Sequence, residues 1–285
     1  MTELRTLLTG IAFGESPRWH DGRLWFTDWG AEELIAVDLD GNSEVIAHVP
    51  SFPFCIDWLP DGQLLIVSAR ERAVLRLESD GALAKHADLR PLADKPWNEI
   101  VVDGRGNAYV NGGGFDMLAG EAPAPGMVAL LAPGEEPRRV ADGIAFPNGM
   151  AVTPDNSTLI VADSYGRELV AFDIEAEGGL SNRRTWADLG EGAPDGICID
   201  ADGAVWYADV PNRRCVRVRE GGEVLQTIEL DRGGFACMLG GYDGRTLFIV
   251  AREWRGVEST ADSERSGQLL MASAPAPHAG WPAAA

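Results

Sequence analysis

The sequence lacks the positive charge that nucleic-acid and membrane partners require. Of its 285 residues, 24 are basic and 44 are acidic, which gives a net charge of −20. Such a chain repels phosphate backbones and anionic lipid surfaces, so we expect no nucleic-acid and no membrane partner. No stretch approaches the roughly eighteen consecutive apolar residues of a membrane span. The dispersed acidity attracts cations instead.

Secretion signals and disulfide patterns are also missing. Glu3 interrupts what would be a positive leader, and no small-residue cleavage site follows, so we expect a cytoplasmic protein. The cysteines are widely spaced in apolar runs without a CxxC pair, which predicts buried free thiols rather than disulfides or a zinc site. They are Cys55, Cys198, Cys215 and Cys237.

Several catalytic motifs are absent as well. The chain has no GxSxG elbow, no P-loop and no dinucleotide-binding glycine motif in a strand-to-helix context. It has 4 histidines, and none falls at a channel-lining position of the fold predicted below, so a Ser-His triad would lack its base. They are His20, His48, His86 and His278.

A repeat is the main feature that the sequence does contain. Six times, an apolar strand, a polar turn, an apolar or aromatic second strand and a third strand follow one another. This period, roughly 40 to 50 residues without a long helical pattern, is typical of a β-propeller blade. The second strands are anchored at Leu24, Leu64, Ala108, Leu159, Val205 and Leu247.

We therefore predict an all-β fold, a six-bladed β-propeller that forms one domain over residues 1–285 with a metal in its central channel. Residues 3–10 are expected to add the last strand of the sixth blade, which joins the two ends of the chain. Residues 253–267 contain a polar insertion in that blade. Residues 275–285, rich in proline and alanine, are expected to form a largely irregular tail.

Polar side chains stand at the start of four of the six first strands, which line the channel of a propeller. These four residues carry oxygen donors, and together they predict a cage for one hard divalent cation, Ca²⁺ above all, with Mg²⁺, Mn²⁺, Zn²⁺ and Fe²⁺ as alternatives. Asn-Gly and Asp-Gly are ordinary turn dipeptides in isolation, but the matched contexts FPNGMAV and APDGICI favour the metal interpretation. The six positions are Glu15, Cys55, Asn98, Asn148, Asp195 and Cys237.

These motifs resemble the senescence marker protein/gluconolactonase family, which includes regucalcin, bacterial sugar lactonases and luciferin-regenerating enzymes. The resemblance covers essentially the whole chain, from GESPRW to PDGICIDADGAVWYAD. It implies a six-bladed propeller that holds one divalent metal and hydrolyses lactones. The family's metal ligands fall on Glu15, Asn148 and Asp195, and Asn98 matches an asparagine that contacts the substrate and, in some relatives, the metal.

The substrate side of the site departs from the sugar-lactonase pattern. Pro96 stands where those members have an arginine two residues before Asn98, so the substrate need not be gluconolactone. The next acidic substrate contact falls at Asp116, in the loop 111–126 that we expect to form a wall or lid. Trp97 is predicted as a hydrophobic wall for the substrate, with simple packing as the alternative.

The sequence thus predicts a metal-dependent hydrolase that opens a small-molecule lactone, with Asp195 as general base or as nucleophile. Two alternatives stay open, which are phosphotriester hydrolysis at the same centre and a propeller that binds metal without catalysis. The sequence does not determine the oligomeric state, and a monomer is the default expectation.

Overall fold

The computed structural model describes residues 3–256 and 264–280. Within these ranges it contains β-strands and no helix. The all-β prediction is confirmed, and no helix in the described ranges is long and apolar enough to cross a membrane. The centre of the predicted polar insertion (257–263) and the end of the predicted tail (281–285) lie outside the described residues.

The strands are, in chain order, β1 (Arg5–Ile11), β2 (Gly14–His20), β3 (Arg23–Asp28), β4 (Glu33–Val37), β5 (Ser43–His48), β6 (Phe54–Trp58), β7 (Leu64–Ser68), β8 (Ala73–Leu77), β9 (Leu83–Asp88), β10 (Trp97–Val102), β11 (Ala108–Gly112), β12 (Gly126–Leu131), β13 (Arg138–Ile144), β14 (Pro147–Val152), β15 (Thr158–Asp163), β16 (Glu168–Ile174), β17 (Leu180–Asp188), β18 (Pro194–Asp200), β19 (Val205–Asp209), β20 (Arg214–Val218), β21 (Val224–Glu229), β22 (Gly233–Gly240), β23 (Thr246–Arg252), β24 (Gly267–Ser273) and β25 (His278–Ala279).

Each repeat folds into one antiparallel sheet, so the prediction of six blades is confirmed. Blades 1 to 4 are β2–β5, β6–β9, β10–β13 and β14–β17, and blade 5 is β18–β21 with β25 added at its inner edge. Blade 6 has the order β1-β24-β23-β22. Strand β1 pairs with β24, which places Arg5 opposite Met271 and Ile11 opposite Gly267. The start of the chain therefore completes the blade built by its end, as predicted.

The first strands of the blades surround a common axis. Strands β2, β6, β10, β14, β18 and β22 follow one another around it, and β22 packs against β2 to complete the ring. Strand β6 is buried along its whole length, whereas the outermost strand β5 of blade 1 is largely exposed. A first strand with neighbours on both faces is buried on both, which explains the continuous apolar runs that the sequence shows there.

The Asn-Gly and Asp-Gly dipeptides lie inside strands β14 and β18, so the turn interpretation of them is wrong. A Cβ atom on Gly149 would lie 2.5 Å from the carbonyl oxygen of Asp195. One on Gly196 would lie 2.5 Å from the Cβ of Ala236 in the next blade. Glycine is required at both places because neighbouring first strands approach each other too closely for a side chain.

The predicted tail contains one short regular segment. Strand β25 pairs with Ile199 and Asp200 of β18. The amide of His278 donates to the carbonyl of Gly244 at 2.9 Å, and the amide of Ala201 donates to the carbonyl of Pro277 at 2.8 Å. These bonds satisfy backbone groups at the inner edge of blade 5, which explains why this part of the tail is ordered despite its composition.

Candidate metal centre and its cavity

Each of the four predicted oxygen donors lies at a break in the pairing of its first strand. An irregularity of this kind bends the strand and turns a side chain away from the regular pleat. Of the two first strands without an oxygen donor, β6 pairs without such a break and β22 has one between Gly234 and Ala236. The breaks fall between Glu15 and Arg18 in β2, Trp97 and Ile100 in β10, Pro147 and Met150 in β14, and Pro194 and Ile197 in β18.

In three of these blades, a buried aspartate at the end of the second strand binds the loop that leads into the first strand. Asp28 and Asp163 each accept two backbone amide bonds of 2.8 to 2.9 Å from the residues just before the first strand. Asp209 accepts one such bond of 3.3 Å. Bonds to an ionised carboxylate are stronger than neutral ones, so each aspartate holds its loop firmly. The donors that these three loops deliver are Glu15, Asn148 and Asp195.

These three aspartates, which we call the clamp aspartates, are not among the site residues predicted from the sequence. The signal was present, because FTDW, VADS and YADV place an aspartate at the same point of three second strands. The repeat that revealed the first strands could have revealed the clamps too, since each pairs with the residue just before the donor.

All four predicted donors line one cavity of about 900 Å³ at one end of the channel. The side-chain nitrogen of Asn98 lies 3.4 Å from the side-chain oxygen of Asn148. Asn148 also hydrogen-bonds to the carboxylate of Asp195, which in turn repels that of Glu15. Residues that are up to 180 positions apart, counted from 15 to 195, are thus brought together by blades 1, 3, 4 and 5.

The two carboxylates of this set lie where a positive charge is favoured. Burial raises the pKa of Glu15 well above its ordinary value, and the neighbouring Asp195 and Glu99 raise it further. Burial also raises the pKa of Asp195, Glu99 adds to the shift, and the hydrogen bond from Asn148 opposes it. Two adjacent buried carboxylates ionise more readily when a cation lies between them, so the field here favours a cation.

The chemistry of the donors fits a hard cation. The set holds two carboxylates and two carboxamides, and oxygen ligands of this kind suit Ca²⁺ and similar ions. Nowhere in residues 3–256 and 264–280 do three or more His, Cys, Asp or Glu side chains form a group that could hold a metal. Cys55 lies near the start of β6, whereas Cys237, predicted at the start of a first strand, is the fifth residue of β22; both are buried and free. Cys198 and Cys215 are buried and free as well, so the prediction of buried free thiols is confirmed.

A second buried group of charges adjoins Glu15 and was missed by our sequence analysis. Arg18 Nη2 lies 3.3 Å from Glu99 Oε1, and Arg18 Nε lies 3.7 Å from Asp57 Oδ1. Burial raises the pKa of Asp57 to about 6 although Arg18 opposes the shift. The signal in the sequence is weak, because the charged residue stands three positions after Glu15, two after Cys55 and one after Asn98. One arginine faces two carboxylates here, so this group does not neutralise Glu15.

Comparison with known proteins agrees with the fold and the arrangement of these motifs. Residues 13–253 match the model of the SMP-30/Gluconolactonase/LRE-like region. The chain belongs to this family. The resemblance that the sequence motifs indicated is therefore confirmed.

Relatives within the SMP-30/gluconolactonase/LRE-like family align over most of the chain. L-arabinolactonase of Azospirillum brasilense is 27% identical over 269 residues, which cover 93% of this chain and 89% of that protein. Regucalcin of Xenopus laevis is 33% identical over 253 residues, which cover 84% and 82%. The calcium-binding protein regucalcin of Agrobacterium tumefaciens has a similar structure, with a TM-score of 0.80, 21% identity and coverage of 98% and 97%. At that identity the likeness shows the fold alone.

The two other predicted substrate contacts, Asp116 and Trp97, differ in how they border the cavity. Asp116 lines the cavity, as does much of the predicted wall loop from Gly112 to Leu118. One carboxylate oxygen of Asp116 accepts the amide of Ala119 at 3.0 Å. Trp97 borders the cavity from behind, because its side chain is 0% exposed and packs in the core. Simple packing, the alternative given for Trp97, accounts for this burial, and its role as a hydrophobic wall for the substrate stays a prediction.

Aromatic rings form two groups along the cavity. The outer group lies above blades 3 and 4, and the inner group lies above blades 1, 2 and 6. No histidine occurs among the described residues that line the cavity, in agreement with the sequence prediction. The outer group is Phe115, Phe146 and Tyr165, and the inner group is Phe13, Trp29, Phe52, Phe235 and Trp254.

Proposed function

We propose that this protein is a metal-dependent hydrolase that opens the lactone ring of a small molecule. The observation that carries the proposal is the convergence of Glu15, Asn98, Asn148 and Asp195 on one cavity. Membership of a family that contains L-arabinolactonase supports the reaction class. A relative in fold described as calcium-binding supports a divalent cation.

The cation would be held by Glu15, Asn148 and Asp195, with Asn98 as a fourth oxygen donor. Ca²⁺ is the ion that this donor set favours, and Mg²⁺, Mn²⁺, Zn²⁺ and Fe²⁺ are the alternatives. When bound with an open coordination position, a divalent cation polarises an ester carbonyl and stabilises the oxyanion that forms on it. Asn98 also stands where its amide can contact the substrate.

Asp195 is the carboxylate that we assign to proton transfer. Glu15 is only 4% exposed, and one of its oxygens accepts the amide of Ser16 at 3.1 Å. Asp195 is less buried and opens onto the cavity. In this proposal its carboxylate accepts a proton from the attacking water and returns it to the ring oxygen that leaves, so the product is a hydroxy acid.

Direct attack of Asp195 on the carbonyl is the second possible path, and it would give an acyl-aspartate that water then hydrolyses. The two paths differ in which molecule receives the oxygen atom of the attacking water. A single turnover in H₂¹⁸O labels only the product in the first path. The second path labels the Asp195 carboxylate when water attacks the aspartyl carbonyl of the mixed anhydride, so label in Asp195 identifies the second path.

The test is a panel of lactones assayed on chelated protein reloaded with one metal at a time. We expect turnover to depend on the metal, and Asp195→Asn to lower kcat by roughly 10²- to 10⁴-fold. Asn retains one oxygen donor, so the variant should keep its fold by circular dichroism. The control is Asp80→Asn, at an exposed turn where Asp80 accepts only a local amide bond.

Unchanged lactone turnover in Asp195→Asn would remove this residue from the mechanism. If the loaded protein hydrolyses organophosphates while lactones are inert, the reaction class is phosphotriester hydrolysis. If a metal binds tightly and neither class of substrate reacts, the protein is a metal-binding propeller without catalysis.

A further inference from the structure

We propose that the cavity takes lactones with an aromatic or otherwise apolar substituent, in preference to polyhydroxylated sugar lactones. The inference rests on the proposed function and adds the substrate class to it. It is carried by the two aromatic groups that line the cavity and by the few polar partners that the outer group offers.

The outer aromatic group leaves an apolar surface in contact with solvent. The rings of Phe146 and Tyr165 are stacked with centroids 4.6 Å apart, and Phe115 lies 5.6 Å from Phe146. Tyr165 is 49% exposed and the neighbouring Leu118 is 51% exposed. Both side chains line the cavity. Large apolar side chains grouped in this way on a soluble protein mark a ligand-binding surface.

The inner aromatic group lines the same cavity on the side of blades 1, 2 and 6. Phe13 packs edge-on against both Trp29 and Phe235, with centroids 5.0 and 4.9 Å apart, and these three rings are largely buried. Phe52 and Trp254 are partly exposed at its margin, so they are the rings of this group that a ligand can contact. The indole NH of Trp29 donates to a backbone carbonyl at 2.5 Å, so it offers no free donor. A ring bound against Phe52 or Trp254 gains the edge-to-face contacts that aromatic pairs prefer.

Partners for hydroxyl groups are unevenly distributed along the cavity. Ser51 and Ser164 each donate to a backbone carbonyl, at 2.8 and 2.6 Å. The charged side chains Glu32, Arg70, Arg72 and Asp94 also line the cavity, whereas the outer aromatic group offers only the hydroxyl of Tyr165. A polyol placed against that group loses water without finding enough partners, and each buried unpaired hydroxyl costs about 1–3 kcal/mol in proteins.

The size of the cavity agrees with a substituted ring. Its volume of about 900 Å³ is near the upper end of the range for small-molecule sites, roughly 300–1,000 Å³. An unsubstituted five- or six-membered lactone would fill only a small part of it. An aromatic substituent could reach from the four oxygen donors to the outer aromatic group.

The test compares three lactones on the metal-loaded enzyme, which are δ-valerolactone, D-glucono-δ-lactone and a phenyl-substituted δ-lactone. We expect kcat/KM for the phenyl lactone to exceed that for the glucono-lactone by at least about tenfold. Tyr165→Ala should lower the ratio of kcat/KM for the phenyl lactone to that for δ-valerolactone by about tenfold. Tyr165 is half exposed, so the variant should fold. The control is Tyr242→Ala, at a tyrosine that is 88% exposed and not part of the cavity.

Preference for the glucono-lactone, or a ratio unchanged in Tyr165→Ala, would overturn the inference while the proposed function stands. Binding is measured separately from turnover. The intact phenyl lactone is titrated by calorimetry into the Asp195→Asn protein and into the Asp195→Asn/Tyr165→Ala double variant. If the phenyl lactone binds there, Tyr165→Ala weakens it, and the parent enzyme hydrolyses no lactone, the proposed function fails and the apolar site remains. Absence of any binding overturns the inference.

Discussion

Glu15 and Asp195 destabilise the fold as long as no cation neutralises them. Both carboxylates have a pKa raised by burial, and Asp195 and Glu99 raise that of Glu15 further. A group that is harder to ionise in the folded state than in the unfolded state lowers the stability of the fold once it is ionised. The same pair becomes favourable when a divalent cation lies between the two groups. In the proposed function, these residues would bind the cation at the expense of the stability of the metal-free protein.

Glu15→Gln should consequently have opposite effects on metal binding and on the metal-free fold. The affinity for Ca²⁺ should fall by at least about tenfold, because the ligand set loses one of its two charges. The melting temperature of the chelated protein should rise, because one of two repelling carboxylates is gone. Calorimetric titration gives the affinity, and a thermal scan in chelator gives the stability.

The control for this prediction is Glu44→Gln on the exposed strand β5, where Glu44 pairs only with Arg23 at 3.0 Å. It should change neither quantity appreciably. Calcium affinity equal to that of the parent protein in Glu15→Gln would remove Glu15 from the ligand set and return it to an ordinary buried glutamate.

At the scale of strands, the donors are positioned by irregular pairing and by the clamp aspartates. The sequence could predict which strands line the channel, because apolar runs and turn residues repeat along the chain. It could not predict the irregular pairing, since a bulge depends on how one strand is registered against its partner. Trp97 and Asn98 illustrate this limit. They are neighbours in a strand whose pairing is broken between Trp97 and Ile100, and the indole is fully buried whereas Asn98 is partly exposed.

Asp163→Asn tests the clamp aspartates. Asp163 accepts the amides of Ala145 and Phe146 at 2.8 and 2.9 Å, and that of Gly166 at 2.9 Å. Asn leaves one acceptor oxygen and turns an NH₂ group toward an amide donor, so stability should fall by about 1–3 kcal/mol. Calcium affinity should also fall, by roughly 10- to 100-fold, because the loop before Asn148 is held less firmly. Denaturant unfolding and calorimetric titration measure the two effects.

Asp38→Asn is the matched control, since Asp38 accepts two amide bonds of 2.9 Å within an exposed turn of blade 1. It should lower stability without changing calcium affinity. If Asp163→Asn behaves in the same way, the clamps are elements of the fold that do not position the donors.

For the whole molecule, the candidate metal centre is a hub that adds to the packing and the hydrogen bonds between blades, such as that from Asn111 to the carbonyl of Asn148. Blades 1, 3, 4 and 5 each contribute one donor, and the bonds among Arg18, Asp57 and Glu99 link blades 1, 2 and 3. The number of blades could be predicted from the repeat alone. The second charge group could not, because it forms between strands whose charged residues stand at different offsets in their own repeats.

Adding Ca²⁺ to the chelated protein should therefore raise its melting temperature, and the gain should increase with pH. At low pH Glu15 and Asp195 are protonated, and a cation must displace their protons. Their pKa values are raised, so these protons persist above the ordinary carboxyl range. As pH rises through that window the ionised pair destabilises the metal-free fold and binds the cation more tightly, so both effects widen the difference.

The measurement is a pair of thermal scans, with chelator and with saturating Ca²⁺, at several pH values. Taking the difference between the paired scans removes the titration of groups that do not interact with the cation. Glu15→Gln should show a smaller gain and a weaker pH dependence, because only Asp195 is left to exchange a proton for the cation. A gain that stays constant or falls as pH rises would mean that the cation binds away from the two buried carboxylates, and the hub would then have to be sought elsewhere in the molecule.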